Sequence, residues 1–483
     1  MATSTACATT STQTGSRIKP MLHVEVRCKD AAGHFVRPDL VREEVYGFLQ
    51  TNFVNLRIDQ EVKDYDNLKH GSIIESINVV DYSGDTADTP SHRLQDVHLD
   101  VQAYELHDSS DIPASSSPAR PTEEDEDEEQ IPDQLRVSHL PSKELVGIWD
   151  SLYFDEPIPA NLLRFTTRMM TLMRHSDLKQ TLANWNRLIL LHGPPGSGKT
   201  SLCRALAQKL SIRLGRFFTQ ARLVEIDAHS LLSKWFGESG KQVSKLFSQI
   251  HTIADDPTML VCVLIDEVET LAGSREKAVS GNEVGDALRA TNQLLTALDR
   301  LRHRSNVVMF CTSNMMGAID AAFLDRVDVK QFIGNPSSAA AYEIFRSCLN
   351  ELVRCGILLP ADDDDPSQDD DDPMSLIQYP SSDQSGPTPT KPPPASFFPS
   401  LLEVNVHLWD QPQAPGRKLW DIAQKCGALS GRTLRRLPFL SLAMYTYREE
   451  CSVNEGLEAL RLAVNEELGR DGVTNGVNGS QEL

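Results

Sequence analysis

The 483-residue chain lacks any apolar run long enough to cross a membrane. Its longest, MLVCVLI at 259–265, is far short of the ~20 residues that a spanning helix needs. Nine cysteines are present, but none shows C-x-x-C spacing. Cys262 and Cys311 sit inside apolar runs, so the thiols read as reduced and buried, as in a cytosolic or nuclear protein. Thirteen scattered histidines form no metal-binding set. A basic stripe is also missing. The net charge is -21, which excludes the many phosphate contacts that duplex DNA binding requires. Neither direct nucleic-acid contact nor membrane association is expected. Residues 1–20 lack acids and are rich in Ser and Thr, faintly like a transit peptide. With no apolar core and only Arg17 and Lys19 as cations, they read as a flexible tail.

The charge itself is concentrated. EEDEDEE (123–129) and DDDDPSQDDDD (362–372) hold fifteen acids, most of the imbalance, and read as self-repelling linker. Between them the chain divides into blocks. Residues 21–107 read as a small α+β domain. LHVEVRC (22–28) alternates Leu22, Val24, Val26 and Cys28 with polar residues, the pattern of a half-buried strand. PDLVREEVYGFL (38–49) is helical, with Val41, Val45, Phe48 and Leu49 on one face, and 73–82 and 96–106 supply further strands. A linker is expected over 108–140, a large α/β domain over 141–335 and a helical domain over 336–468. The last helix, 453–468, opens on a Ser452…Glu455 capping box. Residues 361–400, acidic and then PTPTKPPP, cannot bury a core and read as an unstructured insertion; 469–483 read as a tail.

Two segments of the large domain carry chemistry. GPPGSGKT (193–200) is the P-loop pattern, placed between an apolar strand (187–193) and an amphipathic helix (201–210). Gly193, Pro194, Pro195, Gly196, Ser197, Gly198, Lys199, Thr200 and Ser201 are thus expected to bind ATP. Backbone N–H groups and the helix N-terminus face the phosphates. Lys199 reaches the β- and γ-phosphates, and the Thr200 hydroxyl ligates Mg²⁺. The second segment is a continuous apolar strand ending in Asp266 and Glu267. Asp266 is expected to hold Mg²⁺, and Glu267 to activate the attacking water. A third strand, 306–314, ends in Asn314, whose amide either holds that water or belongs to a turn.

At this point the chain resembles the AAA+ ATPases: a parallel sheet with flanking helices plus a helical lid, here preceded by the small α+β domain. TSNMMGAIDAAFLDRVD (312–328) is similar to the family's second region of homology. The resemblance makes Asn314 the sensor 1 residue and Arg326 the arginine that a neighbouring subunit inserts into the site. The alternative for Arg326 is a surface ion pair with Asp325 or Asp328. Many members carry a second arginine here; this chain has Asp325 instead. SGRTLRRLP (430–438) is similar to sensor 2, which implies that Arg432 approaches the γ-phosphate from the lid, with Arg435 and Arg436 on a solvated face. SKWFGES (233–239) is similar to the pore loop of protein-remodelling members. There Lys234, Trp235, Phe236 and Gly237 contact a translocating polypeptide, or else the aromatics are buried under a loop.

A narrower resemblance joins WDSLYFDE (149–156), residues 185–214, HSLLSKWFGESGK (229–241), VLIDEVE (263–269), VDVKQFIGNP (327–336) and LSGRTLRRLPFL (429–440). These closely resemble the pachytene checkpoint protein 2 family. It implies a homohexameric ATPase that threads and partly unfolds HORMA-domain proteins, through an adaptor in some cases. It also implies action on meiotic chromosome axes and in the spindle checkpoint, hence a nuclear location with some cytoplasmic presence. An ATP-gated scaffold with little turnover predicts a degraded Glu267, Asn314 or Arg326; all three are present.

Overall fold

A computed structural model describes residues 19–29, 37–84, 91–108, 135–174, 185–228, 239–273, 283–360, 397–448 and 450–478. The N-terminal block comprises β1 (Met21–Cys28), α1 (Pro38–Asn52), β2 (Asn55–Arg57), β3 (Glu61–Val62), β4 (Ile74–Tyr82), β5 (Ser91–Arg93) and β6 (His98–Glu105). Its sheet has the order β3-β4-β1-β6, with β1 antiparallel to β4 and parallel to β6. Leu22, Val24 and Val26 on one face of β1 pack in a core with Val41, Val45 and Leu49 of α1. The alternation suggested a solvated opposite face. Instead, His23 and Glu25 of β1 and Asp100 and Gln102 of β6 are also buried, since this polar face meets the ATPase domain.

The large domain comprises β7 (Leu135–Leu140), α2 (Ile158–Met173), β8 (Leu188–His192), α3 (Lys199–Arg213), β9 (Gln220–Asp227), α4 (Ser239–Ile253), β10 (Met259–Asp266), α5 (Glu283–Leu301), β11 (Val307–Ser313), α6 (Ala321–Leu324) and β12 (Val329–Phe332). Its six strands lie in the order β12-β8-β11-β10-β9-β7. All pairs are parallel except β7–β9. The apolar runs of β8, β10 and β11 are buried on both faces, as a sheet covered by helices on each side requires. One core lies under α4 and α5, and the other under α2 and α3. Cys262 and Cys311 lie fully buried in this sheet, where burial raises both thiols far above their usual range. The expected linker boundary at 140 is corrected. Residues 135–140 form the antiparallel edge strand, with Leu135 and Leu140 buried.

The helical domain comprises α7 (Ser338–Arg354), β13 (Leu358–Leu359), α8 (Leu401–His407), α9 (Pro415–Ala423), α10 (Gly431–Tyr445), β14 (Cys451–Ser452) and α11 (Val453–Asn478). Ser337 caps α7, whose Ala341, Ile344, Phe345, Leu349 and Leu352 enter the domain core. The Ser452–Glu455 capping box forms, each backbone N–H donating to the other's side chain at 3.0 and 3.2 Å. Two boundaries are corrected. The helix that it opens runs on to Asn478 rather than ending at 468. The insertion was expected through 400, yet Phe398 is fully buried. Its N–H and that of Phe397 donate to the Asn350 Oδ1 at 2.8 and 3.0 Å, and Ser400 caps α8.

Candidate nucleotide site

The large and helical domains enclose a cleft of about 480 Å³ at the C-terminal ends of β8, β10 and β11. This is where an open parallel sheet binds ligands. Pro195, Gly196, Ser197, Gly198, Lys199, Thr200 and Ser201 line it, with Asp266, Glu267, Asn314 and Arg432. Two glycines explain how the loop fits. At Gly193 a Cβ would sit 2.0 Å from the Ile333 carbonyl oxygen. Gly196 adopts φ +75°, and a Cβ there would meet the Ser430 hydroxyl at 2.8 Å. The lid closes on the same residue, where the Arg432 N–H donates to the Gly196 carbonyl at 3.1 Å.

Lys199 opens α3 and is almost fully buried. Its Nζ donates to the carbonyls of Gly193 (2.9 Å) and Pro194 (2.7 Å) and weakly to the Ser197 Oγ (3.5 Å). Burial lowers its pKa below the usual lysine range, although Asp266, Glu269 and Glu267 oppose the shift. The carboxylates are held by one short run of hydrogen bonds. The Thr200 Oγ1 donates to the Asp266 Oδ1 at 2.9 Å. The Thr312 hydroxyl also donates to Asp266, and accepts the Glu267 N–H at 3.1 Å. The Asn314 Nδ2 lies 3.4 Å from the Glu267 Oε1, and its backbone N–H donates to the Glu269 Oε1 at 2.8 Å. Glu267 itself has φ 53° and ψ 52°. A non-glycine residue rarely adopts this left-handed conformation, which costs on the order of 1–3 kcal/mol and persists where neighbours over-determine it.

The oxygen-only donor set of Thr200 and Asp266 suits a hard cation such as Mg²⁺. Arg432 lines the cleft and makes no ion pair among the described residues. Arg326 lies outside its own cleft. Its partner is neither Asp325 nor Asp328 but Asp299 of α5, bound through both carboxylate oxygens at 2.8 and 2.9 Å. Lys234, Trp235, Phe236 and Gly237 lie outside the described residues.

Several lining residues escaped the sequence reading. Ile148, Ser151, Leu152, Tyr153 and Phe154 form one wall. Their signal was the aperiodic aromatic cluster WDSLYF ahead of α2. Thr312 stands beside Asp266 because β10 and β11 pair Ile265 with Cys311, a register that local spacing does not reveal. Arg435 is solvent-exposed, as expected, and it also lines the cleft and donates to the Ser151 carbonyl. Its place three residues after Arg432 puts both on one face of α10. Arg436 does face solvent and pairs with Glu467 at 3.1 Å.

Comparison with known proteins accounts for all three blocks. The model of the ATPase family associated with various cellular activities (AAA) matches residues 189–335. That of the TRIP13-like AAA+ ATPase lid C-terminal domain matches 337–468, and that of the TRIP13 N-terminal domain 17–109. The pachytene checkpoint protein 2 homolog of Rattus norvegicus is 36% identical over 93% of this chain and 94% of its own. The human homolog is 38% identical over 82% of each chain. The solved structure of C. elegans PCH-2 is 28% identical with a TM-score of 0.64, covering 93% of this chain and 99% of that one. A resemblance first carried by a P-loop and a few short motifs therefore holds across 93% of the chain, which belongs to the pachytene checkpoint protein 2 family of AAA+ ATPases.

Proposed function

We propose that this chain is an ATP-hydrolysing, homohexameric protein remodeller that threads and partly unfolds HORMA-domain proteins. The observation that carries the catalytic half is the hydrogen-bonded run from Thr200 through Asp266, Thr312 and Glu267 to Asn314 beside the buried Lys199. The P-loop N–H groups and Lys199 hold the phosphates. Thr200 and Asp266 are the residues that would hold Mg²⁺, which would neutralise phosphate charge when bound. Glu267 takes the proton of the attacking water, and Asn314 orients that carboxylate. Arg432 contributes positive charge from the lid, so lid position and nucleotide state are linked. Arg326, turned away from its own cleft, serves the site of the next subunit, an arrangement with a rate contribution of ~10³–10⁵ in phosphoryl transfer.

The substrate half rests on family membership. On that basis we infer HORMA-domain proteins, with or without an adaptor, as substrate, and Lys234, Trp235, Phe236 and Gly237 as the segment that grips them. We further propose that it acts at meiotic chromosome axes and in the spindle checkpoint, in the nucleus. A folded domain is stable by only ~5–15 kcal/mol, so peeling one edge needs few turnovers. Candidate HORMA proteins, with and without adaptors, are expected to stimulate steady-state ATPase. Glu267→Gln should lower kcat by ~10²–10⁴ while retaining nucleotide binding. If no HORMA protein stimulates turnover or changes conformation, the substrate assignment fails. If Glu267→Gln hydrolyses ATP at the normal rate, the catalytic assignment fails.

A further inference from the structure

We propose that Asp299 is a positioning residue for phosphoryl transfer, and that it sets the direction in which Arg326 is offered to the neighbouring subunit. The inference rests on the reading of Arg326 as a residue that acts in trans. Arg326 follows the short helix α6, and Asp299 lies near the end of α5. The Arg326 Nε donates to the Asp299 Oδ1 at 2.9 Å and its Nη2 to the Asp299 Oδ2 at 2.8 Å. Its Nη1 donates to the Ala322 carbonyl at 2.7 Å. A guanidinium carries five N–H groups in a rigid fork. Three are occupied, and one on each terminal nitrogen remains for an oxygen anion.

The backbone beneath the side chain is fixed as well. The Arg326 carbonyl accepts from the Asn186 Nδ2 at 2.8 Å, and Asn186 is buried. The Asp328 carboxylate accepts the N–H groups of Asn186 (3.4 Å) and Leu188 (3.0 Å). The turn that carries Arg326 therefore stands on the start of β8, the strand that leads into the P-loop. Only the long side chain is left to be directed, and Asp299 directs it.

Charge alone would argue against an acid here. A carboxylate against the guanidinium offsets part of the positive charge that a phosphoryl transition state needs. Orientation is what the acid supplies. A bidentate carboxylate fixes the plane of the fork, which a single carbonyl cannot do. Misplacement of a reacting group by about 1 Å costs on the order of 10²-fold in rate. An exposed ion pair contributes little to fold stability, so stability is a weak reason for Asp299 to be there.

The test supplies the residue from one subunit and reads the reaction in another. Rings are formed from wild-type subunits and an excess of Glu267→Gln subunits, so that turnover comes from wild-type sites with a mutant neighbour. Adding Asp299→Asn to the Glu267→Gln partner is expected to lower turnover per wild-type subunit by roughly 10- to 100-fold. KM for ATP and ring mass should be unchanged. Adding Arg326→Ala to the partner should lower it at least as far, and Asp299→Asn on top of Arg326→Ala should cause no further loss. If Arg326→Ala in the partner lowers turnover and Asp299→Asn does not, the positioning role of Asp299 is overturned. If Arg326→Ala in the partner changes nothing, the trans reading of Arg326 is itself overturned.

Discussion

The two ends of α3 handle buried positive charge in opposite ways. Lys199 at its start and Arg213 at its end are equally buried, each 6% exposed. Arg213 donates to Asp81 of the N-terminal domain at 2.8 Å. It is flanked by Lys209 on Glu25 at 2.7 Å and Arg216 near Asp100 at 3.6 Å. Lys209 and Arg213 share a face of α3, Arg216 lies in the turn that follows it, and their acids come from β1, β4 and β6 in turn. At the far end the fold thus neutralises every charge it buries. At the near end Lys199 makes no ion pair among the described residues and leans on two carbonyls. A buried cation without an anion is unfavourable unless something supplies the negative charge. The difference separates a docking face that is complete in the folded chain from a site completed by its ligand.

The largest expected effect breaks the near end. Lys199→Met removes the cation and keeps an apolar stem of similar length. Turnover should fall by ~10²–10³, the loss typical of one preorganised charge donor at a reacting centre. The melting temperature of the nucleotide-free protein should stay unchanged, since no native ion pair is lost. A large drop in melting temperature would mean that Lys199 is structural. Breaking the far end should do the reverse. Arg213→Ala leaves Asp81 unpaired in a mostly buried interface, a loss of about 3 kcal/mol. Hydrogen exchange in β1, β4 and β6 should accelerate, while ATP binding at the distant cleft is retained. Exchanging the pair, Arg213→Asp with Asp81→Arg, should restore much of the protection. If protection is already normal in Arg213→Ala, the N-terminal domain does not dock through this pair.

The same comparison explains what could be seen in the sequence. The near end was legible because its chemistry is local: eight consecutive residues form the loop, and Asp266 and Glu267 close an apolar strand. The far end was not. Lys209, Arg213 and Arg216 look like any solvated helix face, since their partners lie over a hundred residues away. For the same reason His23 and Glu25 passed as the wet side of a half-buried strand. β7 was missed because LRVSHL follows an acidic run and has little pattern of its own; only its pairing with β9 makes it a strand. Phe397 and Phe398 were lost to the composition of the residues before them, although two adjacent aromatics are a signal that a core resumes. Asp299 left no mark in the sequence, because its meaning depends on the side chain that α6 brings beside it.

The smallest effect, on pH, sharpens the contrast most. Burial places the Lys199 pKa below the usual value near 10.4. A cation with a lowered pKa keeps its charge below that value and loses it above. ATP affinity should therefore fall on the alkaline side sooner than for an ordinary lysine, and Lys199→Arg should flatten the fall. The far end should respond only to acid. Burial alone would raise the Asp100 pKa, but hydrogen bonding and charge from His23, then Arg216 and Gln102, hold it below the usual carboxylate value. A depressed carboxylate contributes stability that is complete above its unfolded value, about 3.9, and is lost as pH falls through the folded one. Exchange protection in β6 should hold down to about pH 4 and decline only below it, and Asp100→Asn should remove that decline. Loss of β6 protection at alkaline pH together with ATP affinity would mean that the two ends of α3 are one electrostatic unit. Independent losses on opposite sides of neutrality would mean that the helix carries two separate solutions to the same problem, one for a domain and one for a phosphate.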